Sequence, residues 1–310
     1  MKAVAYTEPG GPEVLTVIDL PDPTAGSGEV LIRVNAAAVS PTDTMRRAGH
    51  RDTGGAEPPY VVGMDVAGVV EAVGPGAVTD LAAGDRVMAI VVPQGAHGAY
   101  AEKVAVPAES VARIPAGASL AEASTLPMNG LTARLALDKL GLPTGSTIAV
   151  TGSAGAFGGY SVQLAKADGY TVVADAKESD RALVESLGAD HVLPRGEGFA
   201  AAVRELFPDG VDGIIDGAVQ LDEIVPAAKD GATVVTIRGD KGTRDRGVTF
   251  WSIVVSKYAY DPEALDTLRK QAEAGLLTLR VADTLPKEEA AEAHRRLEAG
   301  GVRGRLVLEF

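Results

Sequence analysis

Apolar positions in the first 120 residues come in short runs, at residues 1–6, 15–20, 29–38, 61–73 and 86–92, the fourth broken by Gly63 and Gly68. Between them stand Pro9-Gly10-Gly11-Pro12, Pro21-Asp22-Pro23, Gly26-Ser27-Gly28 and Gly84-Asp85. Runs this short, bounded by residues that force or permit tight turns, predict strands. Ser40-Pro41-Thr42-Asp43 reads as a loop opening a short helix. Many short strands with little helix predict a compact, barrel-like β domain.

At Ser119 the pattern changes. Residues 120–123 and 130–140 are rich in Ala and Leu and read as helices. Strand patterns at residues 146–151, 170–173, 191–193, 211–216 and 232–237 then alternate with helical patterns at 159–167, 179–187, 199–206 and 222–228. Such alternation predicts a parallel sheet with helices on both faces. The tail adds a helix at 262–274, a strand near 277–281, a helix at 287–298 and a last strand at 304–310.

The chemistry concentrates in Gly152-Ser153-Ala154-Gly155-Ala156-Phe157-Gly158, which lies between a strand pattern and a helix pattern. A second strand follows, closed by Asp175, 17 positions beyond Gly158. Strand, glycine turn, helix, strand and acid is the layout of a dinucleotide-binding unit. Glycine lets the backbone turn sharply and lets a pyrophosphate reach the free N–H groups and positive end of the helix dipole. The spacing here is G-x-x-G-x-x-G rather than G-x-G-x-x-G, so a glycine-rich turn that binds nothing stays open as the alternative.

Composition narrows the field. The chain has 310 residues, which suggests two domains, and is 46% apolar but 4% aromatic, so its cores rest on aliphatic side chains. A formal charge of −13 argues against nucleic acid or an anionic membrane as partner. No apolar stretch is long enough to span a bilayer, and residues 1–4 enter a strand pattern at once, so no signal peptide is expected and the cytoplasm is the expected location. The chain has no cysteine, and its four histidines, His50, His97, His191 and His294, are scattered. Disulfides, thiolate catalysis and a thiolate-held zinc are excluded, and no metal site is expected.

Several segments together resemble the medium-chain dehydrogenase/reductase superfamily, and within it the zinc-free quinone oxidoreductases. Residues 29–34 followed by Ala38-Val39-Ser40-Pro41-Thr42-Asp43 resemble the family's V-x-V-x-A-x-x-x-N-x-x-D segment. Residues 59–74 are similar to its glycine-rich strand, Gly84-Asp85-Arg86-Val87 to its G-D-R-V, and Gly98-Ala99-Tyr100-Ala101-Glu102 to its G-[AG]-[YF]-A-E. Residues 152–158 resemble G-A-A-G-G-V-G, and Ala290-Ala291-Glu292-Ala293-His294 with Gly304-Arg305-Leu306-Val307-Leu308 resembles the closing helix and strand. Zinc alcohol dehydrogenases carry a His-Glu pair where this chain has Met64-Asp65, and a cysteine where it has Ser40. The family usually has Asn at Ser40, and a tyrosine where Arg195 stands.

The resemblance implies an α/β fold: a GroES-like β-rich catalytic domain from residues 1–120 and 265–310, and a Rossmann doubly wound parallel-sheet domain from residues 121–264. It implies a metal-free reductase passing hydride from NAD(P)H, with NADPH favoured and NADH possible, to a quinone or activated alkene. A pathway-specific enoyl reductase, and a nucleotide-binding regulatory or structural protein without turnover, remain alternatives. Gly152, Ser153, Ala154, Gly155, Ala156, Phe157 and Gly158 are expected at the pyrophosphate, and Gly217-Ala218-Val219 and Ile237-Arg238-Gly239 at the cofactor as loops after strands. Asp175 favours NADH through the ribose hydroxyls, whereas Lys177 and Arg195 favour the 2′-phosphate of NADPH. Ser40, Asp43 and Thr132 resemble residues near the nicotinamide, and Tyr60 is a pocket or core tyrosine. Ser40 and Asp43 are also preferred helix caps, and Thr132 also suits a helix interior. The partners expected are a small quinone or enone and a second copy of the chain. Residues 248–255, an apolar β-prone stretch, are expected to be the edge strand through which a homodimer pairs.

Overall fold

The computed structural model describes residues 1–51, 53–239 and 241–310. The chain runs β1 (Lys2–Tyr6), β2 (Thr16–Asp19), β3 (Glu29–Ala38), α1 (Pro41–Arg47), β4 (Tyr60–Val61), β5 (Asp65–Val73), β6 (Arg86–Ile90), β7 (Lys103–Pro107), β8 (Val111–Arg113) and α2 (Leu120–Ser124). It continues α3 (Pro127–Leu140), β9 (Thr147–Thr151), α4 (Ala156–Ala167), β10 (Thr171–Ala176), α5 (Arg181–Ser186), β11 (His191–Pro194), α6 (Phe199–Leu206), β12 (Val211–Asp216), β13 (Ala228–Thr236), β14 (Gly242–Thr243) and β15 (Thr249–Ser252). It closes with α7 (Pro262–Glu273), β16 (Val281–Pro286), α8 (Ala290–Ala299) and β17 (Arg305–Glu309).

Two compact units form: Met1–Met128 with Ser256–Gly275 and Leu279–Phe310, and Asn129–Val255 with Leu276–Thr278. In the first, β16-β17-β3-β5-β6-β8 make one sheet, with β7 also on β3, and β2-β1-β4 make a second. The inward residues of these strands, among them Val30, Ile32, Val66, Val87 and Leu306, share one largely aliphatic core, which also takes in Tyr100 from the segment between β6 and β7. This is the GroES-like domain. It takes the chain back at Ser256, earlier than position 265.

In the second unit the sheet order is β11-β10-β9-β12-β13-β15-β14. All pairings but the last are parallel, so this is the doubly wound Rossmann arrangement. β9, β10 and β12 are buried almost throughout, as strands covered on both faces must be.

Several local expectations change. Residues 222–228 are not an α-helix: Leu221–Ala227 is a 3₁₀ stretch containing Pro226, which has no N–H to give a helix. The strand expected near 277–281 begins only at Val281, because Leu277 is instead buried in the nucleotide unit. β15 is not the edge strand expected of residues 248–255. Among the described residues β14 pairs outside it, antiparallel, through Gly242↔Phe250 and Thr243↔Thr249. Trp251 stays 44% exposed, with Lys139 Nζ 3.3 Å from its ring centroid.

Candidate functional site

The parallel strands of the second unit end level. Asp216 is in register with Thr151 on one side and Thr236 on the other, Ala174 with Val150, and Asp175 with Leu193. The segments after β9, β10, β11, β12 and β13 therefore leave one carboxyl edge. They carry residues 152–155, Lys177, Arg195, Gly217-Ala218-Val219 and Ile237-Arg238-Gly239. The sheet's winding reverses between β9 and β12, where open α/β sheets place ligands.

The three loop glycines do different work. Gly152 has φ +69, and a Cβ there would lie 3.1 Å from Gly217 C. A Cβ on Gly158 would lie 2.2 Å from Gly152 O, so only glycine lets α4 pack against its own entry turn. Gly155, the N-cap of α4 at φ −72, would meet only Gly152 O, at 3.2 Å. That side of the loop is open. α4 has no side-chain cap and no acidic residue in its first turn, which begins Ala156-Phe157. α1, α2 and α7, by contrast, carry Asp43, Glu122 and Asp261 at their starts. An uncapped, uncompensated positive helix end behind an open glycine is a cradle for phosphate, so the residues fit a dinucleotide. Ser153 and Ala154 are buried; Ser153 Oγ donates to Val150 O at 2.8 Å and supports the turn from beneath.

The neighbouring loop is fixed by residues that sequence reading passed over. Thr151 Oγ1 donates to Asp216 Oδ1 at 2.7 Å and accepts Ala218 N–H at 3.0 Å. Asp216 also accepts the N–H groups of Gln220 and Leu221, at 3.0 and 2.9 Å. This holds Val219 in the left-handed region, φ 58. The legible signal was a polar residue closing each of two apolar strands. After β13, Arg238 N–H lies 3.4 Å from Thr236 Oγ1, and Gly239 takes φ +48.

Asp175 is 1% exposed and accepts Ser153 N–H through Oδ1 at 3.0 Å. Burial pushes its pKa up, against the opposing pull of that bond and of Arg195. Arg195 Nε is 3.7 Å from Oδ2, and Lys177 is exposed at the start of the 3₁₀ turn Glu178–Asp180.

The first unit holds a buried polar network. Ser40 caps α1, and its N–H donates to Asp43 Oδ2 at 2.8 Å. Asp43 Oδ1 accepts Gly63 N–H at 3.1 Å, and Tyr100 OH lies 3.3 Å from Oδ2 and 3.2 Å from His294 Nε2. Arg305 Nη2 donates to Ser40 Oγ and Asp65 Oδ2, both at 2.7 Å. Ser40, Asp43, Asp65 and His294 are all 0% exposed. The structure thus brings Ser40 and Asp43 together with their polar atoms committed to protein partners. Tyr60 sits apart, in the second sheet: its ring centroid is 5.2 Å from that of Tyr6, and its hydroxyl donates to Ala56 O at 3.0 Å. Thr132 is buried on α3.

Burial raises Asp43 to about 7, opposed chiefly by the Ser40 N–H, and lowers His294 to about 3, with Arg47 adding to the fall. The signs are opposite. Asp43, raised, contributes stability present below its unfolded pKa and lost as pH rises through about 7. His294, depressed, contributes stability present above about 6.5 and lost as pH falls toward about 3. His294→Gln removes only the second. The stability advantage of the parent over His294→Gln should therefore shrink by about 2–3 kcal/mol between pH ~7 and ~4.5, measured by urea unfolding. An advantage that does not change with pH would show that His294 is not held neutral.

Zinc does not fit. The chain has no cysteine, Met64 is apolar, and Asp65 is committed to Arg305 and to Met128 N–H. Among the described residues no three His, Cys, Asp or Glu side chains gather to hold a metal ion, and no helix is long and apolar enough to cross a membrane.

Residues 26–116 match the alcohol dehydrogenase GroES-like domain family, and residues 187–308 the zinc-binding dehydrogenase family. The chain is similar to the 2-methylene-furan-3-one reductase of Solanum lycopersicum, 33% identical over 99% of this chain and 79% of that protein. It is 30% identical to the quinone oxidoreductase of Homo sapiens, over 99% of this chain and 97% of that one. A mycobacterial protein solved in complex with NADPH superposes with a TM-score of 0.88 at 31% identity, covering 100% of both chains.

Proposed function

The chain belongs to the medium-chain dehydrogenase/reductase superfamily, in its zinc-free quinone oxidoreductase-like branch, and on that premise we propose that it is an NADPH-dependent reductase of quinones or enones. The observation that carries this is the glycine turn at the carboxyl edge, where Gly155 leaves the uncapped end of α4 open. Bound NADPH supplies the hydride. Electron-poor acceptors need no Lewis acid to take it, so the protein's share is alignment, which can supply ~7–11 kcal/mol.

The N–H groups of the first turn of α4, from Ala156 to Gly158, hold the pyrophosphate, while Ser153 and Gly155 N–H brace the turn through Asp175 Oδ1 and Gly152 O, and the 217–219 and 237–239 loops flank it. Lys177 and Arg195 serve the adenosine end. Thr132 is the hydroxyl we assign to the acceptor oxygen, where a hydrogen bond stabilises developing charge. Ser40 and Asp43 act as positioning residues, since their bonds to Arg305, Gly63 and Tyr100 hold the start of α1. Tyr60, half-buried, packs against the core of the first unit rather than serving the reaction. NADPH oxidation with a simple benzoquinone tests the reading. Turnover supports it, and tight NADPH binding without turnover on quinones or enones overturns it in favour of a non-catalytic nucleotide binder.

We further place the protein in the cytoplasm as a homodimer, supported by its charge of −13 and by Trp251 and Val254, 44% and 39% exposed beside the outer strands. Light scattering that finds only monomer at micromolar concentration overturns the dimer, and recovery in a membrane fraction overturns the location.

A further inference from the structure

Asp175, the penultimate residue of β10, stands where an acidic side chain ordinarily accepts a ribose hydroxyl. In this chain it is turned away from that task. Its Oδ1 is taken by Ser153 N–H at 3.0 Å, and its Oδ2 is buried with no hydrogen-bond partner. The nearest cation is Arg195, whose Nε lies 3.7 Å from Oδ2. Arg195 is held there by the backbone: it follows β11, and its N–H donates to Ala176 O at 3.0 Å, beside the end of β10. Its side chain is 44% exposed against 1% for that of Asp175, so the guanidinium reaches from a buried carboxylate out to water.

We propose that Arg195 masks Asp175, and that this pair, rather than either side chain alone, makes the site select a nucleotide carrying a 2′-phosphate over one with a free 2′-hydroxyl. The proposal rests on the dinucleotide reading above and specifies its adenosine end. A bare carboxylate at this position attracts hydroxyl donors and repels a phosphate. Beside a guanidinium its charge is neutralised locally. Arg195 presents Nε toward Asp175, and its planar fork has further N–H donors to offer a phosphate. Lys177, exposed one strand end away, adds a second positive charge. Arg181 is spoken for by Glu178 and Glu185, each at 3.4 Å.

Removing Arg195 does two things at once. It deletes a phosphate ligand, and it uncovers an acceptor, Asp175 Oδ2, that then lacks any partner. A buried acceptor without a donor is costly, and a ribose 2′-hydroxyl supplies the donor. A phosphate-binding arginine with no masking role would produce only the first effect.

The test is isothermal titration calorimetry of NADPH and NADH, without turnover, on the parent, Arg195→Ala, and Arg195→Ala combined with Asp175→Asn. Asn keeps the oxygen that Ser153 N–H needs, and thermal melting checks that each variant is folded. The parent is expected to prefer NADPH. Arg195→Ala should weaken NADPH about tenfold or more and tighten NADH severalfold. In the double variant the NADH gain should disappear. If Arg195→Ala weakens NADPH but leaves NADH unchanged, or the gain survives Asp175→Asn, masking is overturned while the dinucleotide site stands. If the parent binds neither nucleotide, the site reading falls and the pair's role falls with it.

Discussion

Arg305→Met should cost about 3–5 kcal/mol of folding stability, the range for leaving one member of a buried ion pair behind. Arg305 is 3% exposed. Besides Ser40 Oγ and Asp65 Oδ2, its guanidinium donates to Ala38 O and Val39 O, each at 3.1 Å, and to Thr125 O at 3.3 Å. One side chain on β17 thus satisfies the end of β3, the first residue of β5 and the end of α2. Methionine fills much of the volume but donates nothing. Asp65 would keep only the Met128 N–H, at 2.7 Å, for a carboxylate that is 0% exposed. Adding Asp65→Leu should restore part of the loss, because both buried charges then leave together. Urea unfolding of the parent, single and double variants measures this. A single variant within about 1 kcal/mol of the parent would mean that the pair is not desolvated as its burial indicates.

Gly158→Val should do the second largest damage, about 3 kcal/mol of stability together with loss of NADPH binding. Its Cβ would fall 2.2 Å from Gly152 O, 2.6 Å from Gly152 C and 2.8 Å from Ser153 Cα. All three are backbone atoms, so no rotamer relieves the clash and α4 must shift away from β9. Gly155→Val is the contrasting case. Its only close neighbour is Gly152 O at 3.2 Å, so the fold should survive while NADPH affinity falls about tenfold or more, about 1.4 kcal/mol. Calorimetric binding and thermal melting on both variants separate the two roles. If Gly155→Val binds NADPH and NADH as the parent does, the glycine turn is not the phosphate site.

The sequence by itself determined what depends on neighbours along the chain. Period and turn residues separated the strand-and-turn region from the alternating region, because backbone preference acts over a few residues. The bounds of α6 and β12 were legible for that reason, as was the strand–glycine–helix unit around Gly152. The absence of cysteine ruled out thiolate chemistry before any coordinate was known. The tertiary structure alone decided how side chains are paired and faced. Three glycines that look equivalent in G-x-x-G-x-x-G divide into two that the backbone needs and one that leaves room, and only the positions of Gly152 O and Gly217 show which. Asp175 has the right spacing for a ribose acceptor, yet its Oδ1 accepts Ser153 N–H at 3.0 Å and Arg195 Nε lies 3.7 Å from its Oδ2. Ser40 and Asp43 suit both a helix cap and a reaction site, and it is Arg305, 265 positions from Ser40, and Tyr100, 57 from Asp43, that show where their polar atoms are spent. Residues so far apart in the chain meet only in the folded core, and charge, burial and hydrogen bonding are set by what meets.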